Sequence, residues 1–159
     1  MSSFNLIIII VLDWLRKIFA GTVVEPETIL PTSTKLVTLE RVAEIVHAEF
    51  PGCPLFLSDN EYLLCSSDDI ALFLAQDATN KMGYVMGERD CDDFSYRLMG
   101  QFSIPGWSAL AFGIIWTEVH ALNCFITEEE ELLLVEPQTD EIQDNLKSWQ
   151  GSSVRFIIM

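Results

Sequence analysis

The sequence predicts an α+β domain in which N-terminal helices pack on a C-terminal antiparallel sheet. Between Thr38 and Phe102, apolar residues recur at spacings of three and four, the mark of amphipathic helices. From Ala109 onward they come in short β-prone runs separated by polar turns. The chain has 159 residues, half of them hydrophobic and 21% charged, which allows one domain with a real core and argues against disorder. The expected division is a hydrophobic segment and linker over 1–35 and a single domain over 36–159.

In chain order, residues 4–19 can be drawn as a helix, although the isoleucine run within them is also β-prone. Leu6 to Leu12 is apolar without a break, but Asp13 ends it well short of the about 20 residues a membrane span needs. No base precedes Arg16, so a secretory signal is not indicated either. The segment reads as core or as a dock for a protein partner or a second copy. Gly21 to Thr34, with Pro26 and Pro31, reads as a linker or strap. Thr38 caps a helix to about Phe50, which Pro51-Gly52 stops, and His47 falls off its inner stripe as a surface residue. Residues 55–57 and 61–65 look like a hairpin around Asp59-Asn60. Ser66 or Ser67 then caps a helix to about Gln76, and 79–87 is a loop or short strand.

A third helix starts at Cys91, with Phe94, Leu98 and Phe102 on its inner side and Asp90 as N-cap. Strands follow over 109–115, 116–126, 131–136 and 154–158, the last inside the sheet, with Glu128 to Glu131 as a solvated turn. Residues 140–150 form a loop with a helical turn.

The formal charge is −15, from 24 acids against 9 bases. Such a chain does not bind nucleic acid or an anionic membrane through its general field; it suits divalent cations or basic partners. Cys53, Cys65, Cys91 and Cys124 lack the tight spacing of a zinc knuckle or disulfide framework. One bridge, Cys53 with Cys65, stays open, and the overall reading is a reduced protein of the cytoplasm.

Three residues of different types stand in a suggestive order. Cys91 at a helix start meets unpaired N–H groups and the positive end of the helix dipole, which favour a thiolate. His120 sits on a strand that alternates Trp116, Glu118, His120 and Leu122. Glu136 ends the next strand, held extended by Pro137. A thiol, a proton carrier and an orienting carboxylate are the parts of a nucleophilic triad. Asp92 and Asp93 suit the helix dipole by ~0.3–1 kcal/mol each, yet they oppose a neighbouring thiolate. A calcium or manganese ion held by Asp92, Asp93, Asn123 and Gln138 removes that conflict.

The stretches Asp90-Cys91-Asp92-Asp93-Phe94, His120-Ala121-Leu122-Asn123 and Glu136-Pro137-Gln138-Thr139 resemble a group of papain-like proteins. That group includes the protease domain of the fairy-ring mushroom agglutinin and small bacterial and phage proteins. The resemblance covers about residues 84–140, a third of the chain. It implies a papain-like or transglutaminase-like fold, with Cys91 as nucleophile, His120 as general base and acid, and Glu136 as orienting group. It also implies Asp92 and Asp93 as ligands of calcium or manganese, with Tyr84 and Gln138 beside the substrate. Papain's oxyanion glutamine has no counterpart, since Val85 stands there; backbone N–H groups or Gln138 would take that part. Nothing resembles the agglutinin's sugar-binding part.

The reading that follows is a thiol hydrolase, a cysteine peptidase or isopeptidase acting on a peptide or protein substrate. An acyl transferase using the same triad is a variant of it. The alternative is a non-catalytic papain-fold interaction protein, such as a phage virion or host-directed component docking through residues 4–19.

Overall fold

The computed structural model describes residues 30–32, 34–146 and 153–159. The helix drawn over 4–19, most of the strap after it and the end of the 140–150 stretch lie outside them.

Three helices begin at local caps. α1 (Leu39–Glu49) starts after Thr38, whose hydroxyl accepts the Arg41 N–H, and it buries Val42, Ile45 and Val46. α2 (Ser67–Gln76) starts after Ser66, whose hydroxyl accepts the Asp69 N–H at 3.1 Å. α3 (Cys91–Gln101) starts after Asp90, and the Asp93 carboxylate reaches back to accept the Asp90 N–H at 3.2 Å. Such caps satisfy donors that a helix start leaves unpaired, and so fix where the helix begins.

The strands are β1 (Lys35–Thr38), β2 (Leu55–Phe56), β3 (Glu61–Leu64), β4 (Phe112–Thr117), β5 (Ala121–Ile126), β6 (Leu132–Glu136), β7 (Glu141–Gln143) and β8 (Val154–Ile158). β1 pairs antiparallel with β3, and the other six form one sheet in the order β2-β8-β4-β5-β6-β7.

This corrects the expected architecture of helices segregated over an antiparallel sheet. Among the described residues strands dominate, with three short helices between them. The sheet is mixed, because β2 from the first half of the chain runs parallel to β8 at its end. Both of its faces are covered. Ile115, Leu122, Cys124, Leu134 and Ile157 pack with Val42 and Val46 of α1 and Leu64 of β3. Phe112, Phe125 and Val135 pack with Ile70 of α2, Leu98 of α3 and Trp107. A sheet buried on two faces loses the alternation of apolar and polar residues, and every residue of β5 is buried.

Two local expectations are corrected as well. Residues 55–65 are no hairpin, since β2 and β3 belong to different sheets. The loop between them is tacked down by Tyr62, whose hydroxyl accepts the Asp59 N–H at 3.0 Å and donates to the Met159 carbonyl at 3.3 Å. Residues 116–126 are not one strand. The Thr117 hydroxyl accepts the N–H groups of Val119 and His120, at 3.3 and 3.0 Å, and turns the chain between β4 and β5. No glycine or proline marks that turn, so the strand appears continuous in sequence.

Among the described residues, no helix is long and apolar enough to cross a membrane.

Candidate functional site

All four cysteines are free thiols, so the bridge left open between Cys53 and Cys65 does not form. Cys53, Cys65 and Cys124 are buried, and Cys91 is partly exposed. Burial, helped by the charges of Asp69 and Glu128, pushes the Cys65 thiol up to about 12. Burial also raises Cys124. Cys91 is the thiol open to solvent.

His120 closes the Thr117 turn just before β5, and Glu136 is the last residue of β6. The fold brings them together, with His120 Nε2 2.6 Å from Glu136 Oε2. Glu136 is 6% exposed, and its Oε1 accepts the Gln138 N–H at 3.2 Å. Both carboxylate oxygens are thus engaged, and the imidazole is oriented by a group that cannot swing away. No hydrogen bond among the described residues joins Cys91 to His120.

The Cys91 sulfur instead clusters with one carboxylate oxygen each from Asp90 and Asp92, all within 4.8 Å of one another. A hydrogen bond from Asp92 to Asp90, strengthened by partial burial, raises the Asp92 carboxyl above its ordinary range. The same bond, with the Gly87 N–H at 2.8 Å, lowers Asp90. The two carboxyls lie close enough for a divalent cation to bridge them. Asp93 is turned to its cap. Asn123 is fully buried, and its amide donates to the carbonyls of Ser95 at 3.1 Å and Gly113 at 3.0 Å, tying α3 to the sheet. Tyr84 is 51% exposed. It lies at the base of a tight turn closed by paired bonds between Val85 and Arg89, with Gly87 at φ 73°. Gln138 is half-buried.

A feature that sequence reasoning missed lies on the same side of the sheet as α3. Tyr96 meets Trp116 edge-on at 5.3 Å, Trp116 stacks on Phe156 at 4.8 Å, and Phe156 meets Phe56 at 6.4 Å. The four rings come from α3, β4, β8 and β2, with Tyr96 and Phe56 each more than half exposed. Their only sequence signal is an aromatic on each of four elements. Their adjacency depends on the strand order.

No protein-family model and no curated protein matches the chain. Solved structures do. One titled "PSL1a-E64 complex" aligns with a TM-score of 0.68 at 21% identity, over 78% of this chain and 51% of that one. Another is Polyporus squamosus lectin bound to a human-type influenza-binding epitope, Neu5Acα2-6Galβ1-4GlcNAc. It aligns with a TM-score of 0.59 at 20% identity, over 79% of this chain and 49% of that one. The chain therefore spans about half the length of the structures it matches, and the likeness is one of fold.

These findings correct the identification drawn from the motifs of residues 84–140. The fold is shared with part of a lectin. The papain-like assignment is withdrawn, and with it the fold class and the thiol hydrolase reading built on it. Of the two readings, the comparisons favour the one in which the chain binds a partner.

Proposed function

We propose that this domain is a binding module that takes a neutral oligosaccharide on the run Tyr96–Trp116–Phe156, with His120 and Glu136 as polar neighbours. The observation that carries this reading is the run of partly exposed rings, each in contact with the next. A pyranose presents a face of C–H groups that lies flat on an aromatic ring. Its hydroxyls donate to carboxylates and can donate to or accept from imidazoles. His120 directly precedes Ala121, the residue that pairs with Trp116 across β4 and β5, which puts the polar pair one residue beyond that strand position.

Tyr84, Cys91 and Gln138 border this surface in the proposal, and a calcium or manganese ion would be held by Asp90 and Asp92. Four free thiols support a reducing setting, the cytoplasm or a virion. The likeness to a lectin supports a saccharide over a peptide. The net charge of −15 supports a neutral saccharide over one carrying a sialic carboxylate.

The test is calorimetric titration with Galβ1-4GlcNAc and its sialylated form at low salt. The neutral sugar should bind more tightly, and Trp116→Ala and the exposed Tyr96→Ala should each weaken it by about tenfold, or about 1.4 kcal/mol. Absence of binding, or binding indifferent to both variants, overturns the proposal.

A further inference from the structure

Away from the aromatic run, three side-chain oxygens without a hydrogen-bond partner sit where a 3₁₀ turn (Thr79–Lys81) meets the turn between β6 and β7. They are Thr79 Oγ1, Asn80 Oδ1 and Asp140 Oδ1. Thr79 is fully buried. Asn80 donates its amide to the other oxygen of Asp140, which fixes which end of the amide is oxygen and holds the two turns together. Asp77 lies alongside, its carboxylate accepting the Thr79 N–H at 2.6 Å. Buried polar atoms are paired in folded proteins nine times in ten or more, so three orphans on two turns joined by the Asn80–Asp140 bond point to a shared partner.

We propose that Thr79 Oγ1, Asn80 Oδ1 and Asp140 Oδ1 form a calcium site, with Asp77 as a nearby second charge. The donor set is a hydroxyl, an amide carbonyl and a carboxylate, all hard oxygens of the kind calcium takes. Charge favours a cation over a lone water molecule. Two carboxylates are bonded to successive residues of the 3₁₀ turn, Asp77 to Thr79 and Asp140 to Asn80. Asp140 holds φ at 62°, and its N–H donates to the Glu136 carbonyl at 2.9 Å. An ion here would brace the turn that carries Glu136 against the segment leading to Cys91. The site shares no ligand with Asp90 and Asp92 and does not depend on the saccharide reading.

The experiment is calorimetric titration of the EDTA-stripped full chain with calcium chloride, alongside thermal unfolding with and without the ion. Asp140→Asn keeps a residue that tolerates positive φ, and Thr79→Val keeps the buried shape. Each should weaken calcium binding by about tenfold or more, measured in an Asp92→Asn background as well as in wild type. Without calcium, Thr79→Val should unfold at or above the wild-type temperature, because it removes an unpaired hydroxyl. Absence of binding up to about 1 mM calcium, binding unchanged in both variants, or binding lost only in Asp92→Asn overturns the site.

Discussion

Asn123→Ala isolates what holds α3 against the sheet. The wild-type amide donates to two carbonyls, one on α3 and one on β4, at 3.1 and 3.0 Å in a fully buried position. Truncation takes a donor from each carbonyl, at about 1–3 kcal/mol apiece where no water replaces it. It also removes Asn123 Oδ1, which has no partner in the native protein, and so returns about one such penalty. The net expectation is a loss of about 1–3 kcal/mol, read as a lower urea midpoint at unchanged slope. Because a chain of this size shifts by about 2–4 °C per kcal/mol, the thermal midpoint should fall in step. Hydrogen exchange should speed up first in α3. Asn123→Asp sharpens the test. A carboxylate cannot donate to either carbonyl, so the buried acid is driven towards its protonated form and its folded pKa is raised. Its stability is therefore best at low pH and falls as pH rises through that value. A loss below about 0.5 kcal/mol in Asn123→Ala, or an aspartate variant no worse than alanine at neutral pH, would refute the reasoning.

Gly113→Ala should be severe, since an added Cβ would lie 2.0 Å from the Ile158 carbonyl oxygen and 2.6 Å from Met159 Cγ. Overpacking of this kind costs about 3 kcal/mol or more, and a midpoint within error of wild type would count against the β4–β8 contact. Native-state iodoacetamide should label Cys91 alone, because the other three thiols are buried and raised by burial; mass spectrometry that finds Cys65 or Cys124 modified before unfolding would contradict the packing. Glu130 bonds Arg41 and Lys35, in that order of effect, which lowers its carboxyl from an ordinary 4.5 to about 2. A depressed acid stabilises the fold above its unfolded value and loses that contribution as pH falls through the folded one. Acid titration should therefore show wild type losing stability between about pH 4.5 and 2, and Arg41→Met should reduce that slope.

What was legible in the sequence follows the range of the forces involved. Thr38 and Ser66 accept N–H groups three residues on, and Asp93 accepts the Asp90 N–H, so each helix start is visible in a short window. Sheet order is set by contacts far apart in sequence. Leu55 beside Ile157 has no local signature, and it is this pairing that makes the sheet mixed. The turn at Thr117 was hidden for a different reason: a threonine hydroxyl replaces the glycine or proline that usually announces a turn. The strand drawn through it put His120 in line with Trp116 and Glu118, whereas His120 belongs to the turn itself. Its partner Glu136 is reached across β5 and β6.

The same contrast explains how the motifs misled. A cysteine, a histidine and a glutamate in order suggest shared chemistry, but order does not make a site. In the structure the histidine and glutamate share a hydrogen bond, while the thiol lies beside the carboxyls of Asp90 and Asp92. Cys91 opens α3 and lies beside the carboxyls of Asp90 and Asp92. Alkylation runs through an anionic sulfur, and a neighbouring carboxylate opposes that charge, so removing the carboxylate or neutralising it with a cation eases the reaction. Alkylation of Cys91 in Asp92→Asn should consequently be faster than in wild type near neutral pH, and calcium should speed wild type towards the variant. Equal rates in the two proteins, with and without calcium, would mean that the acids do not govern the thiol.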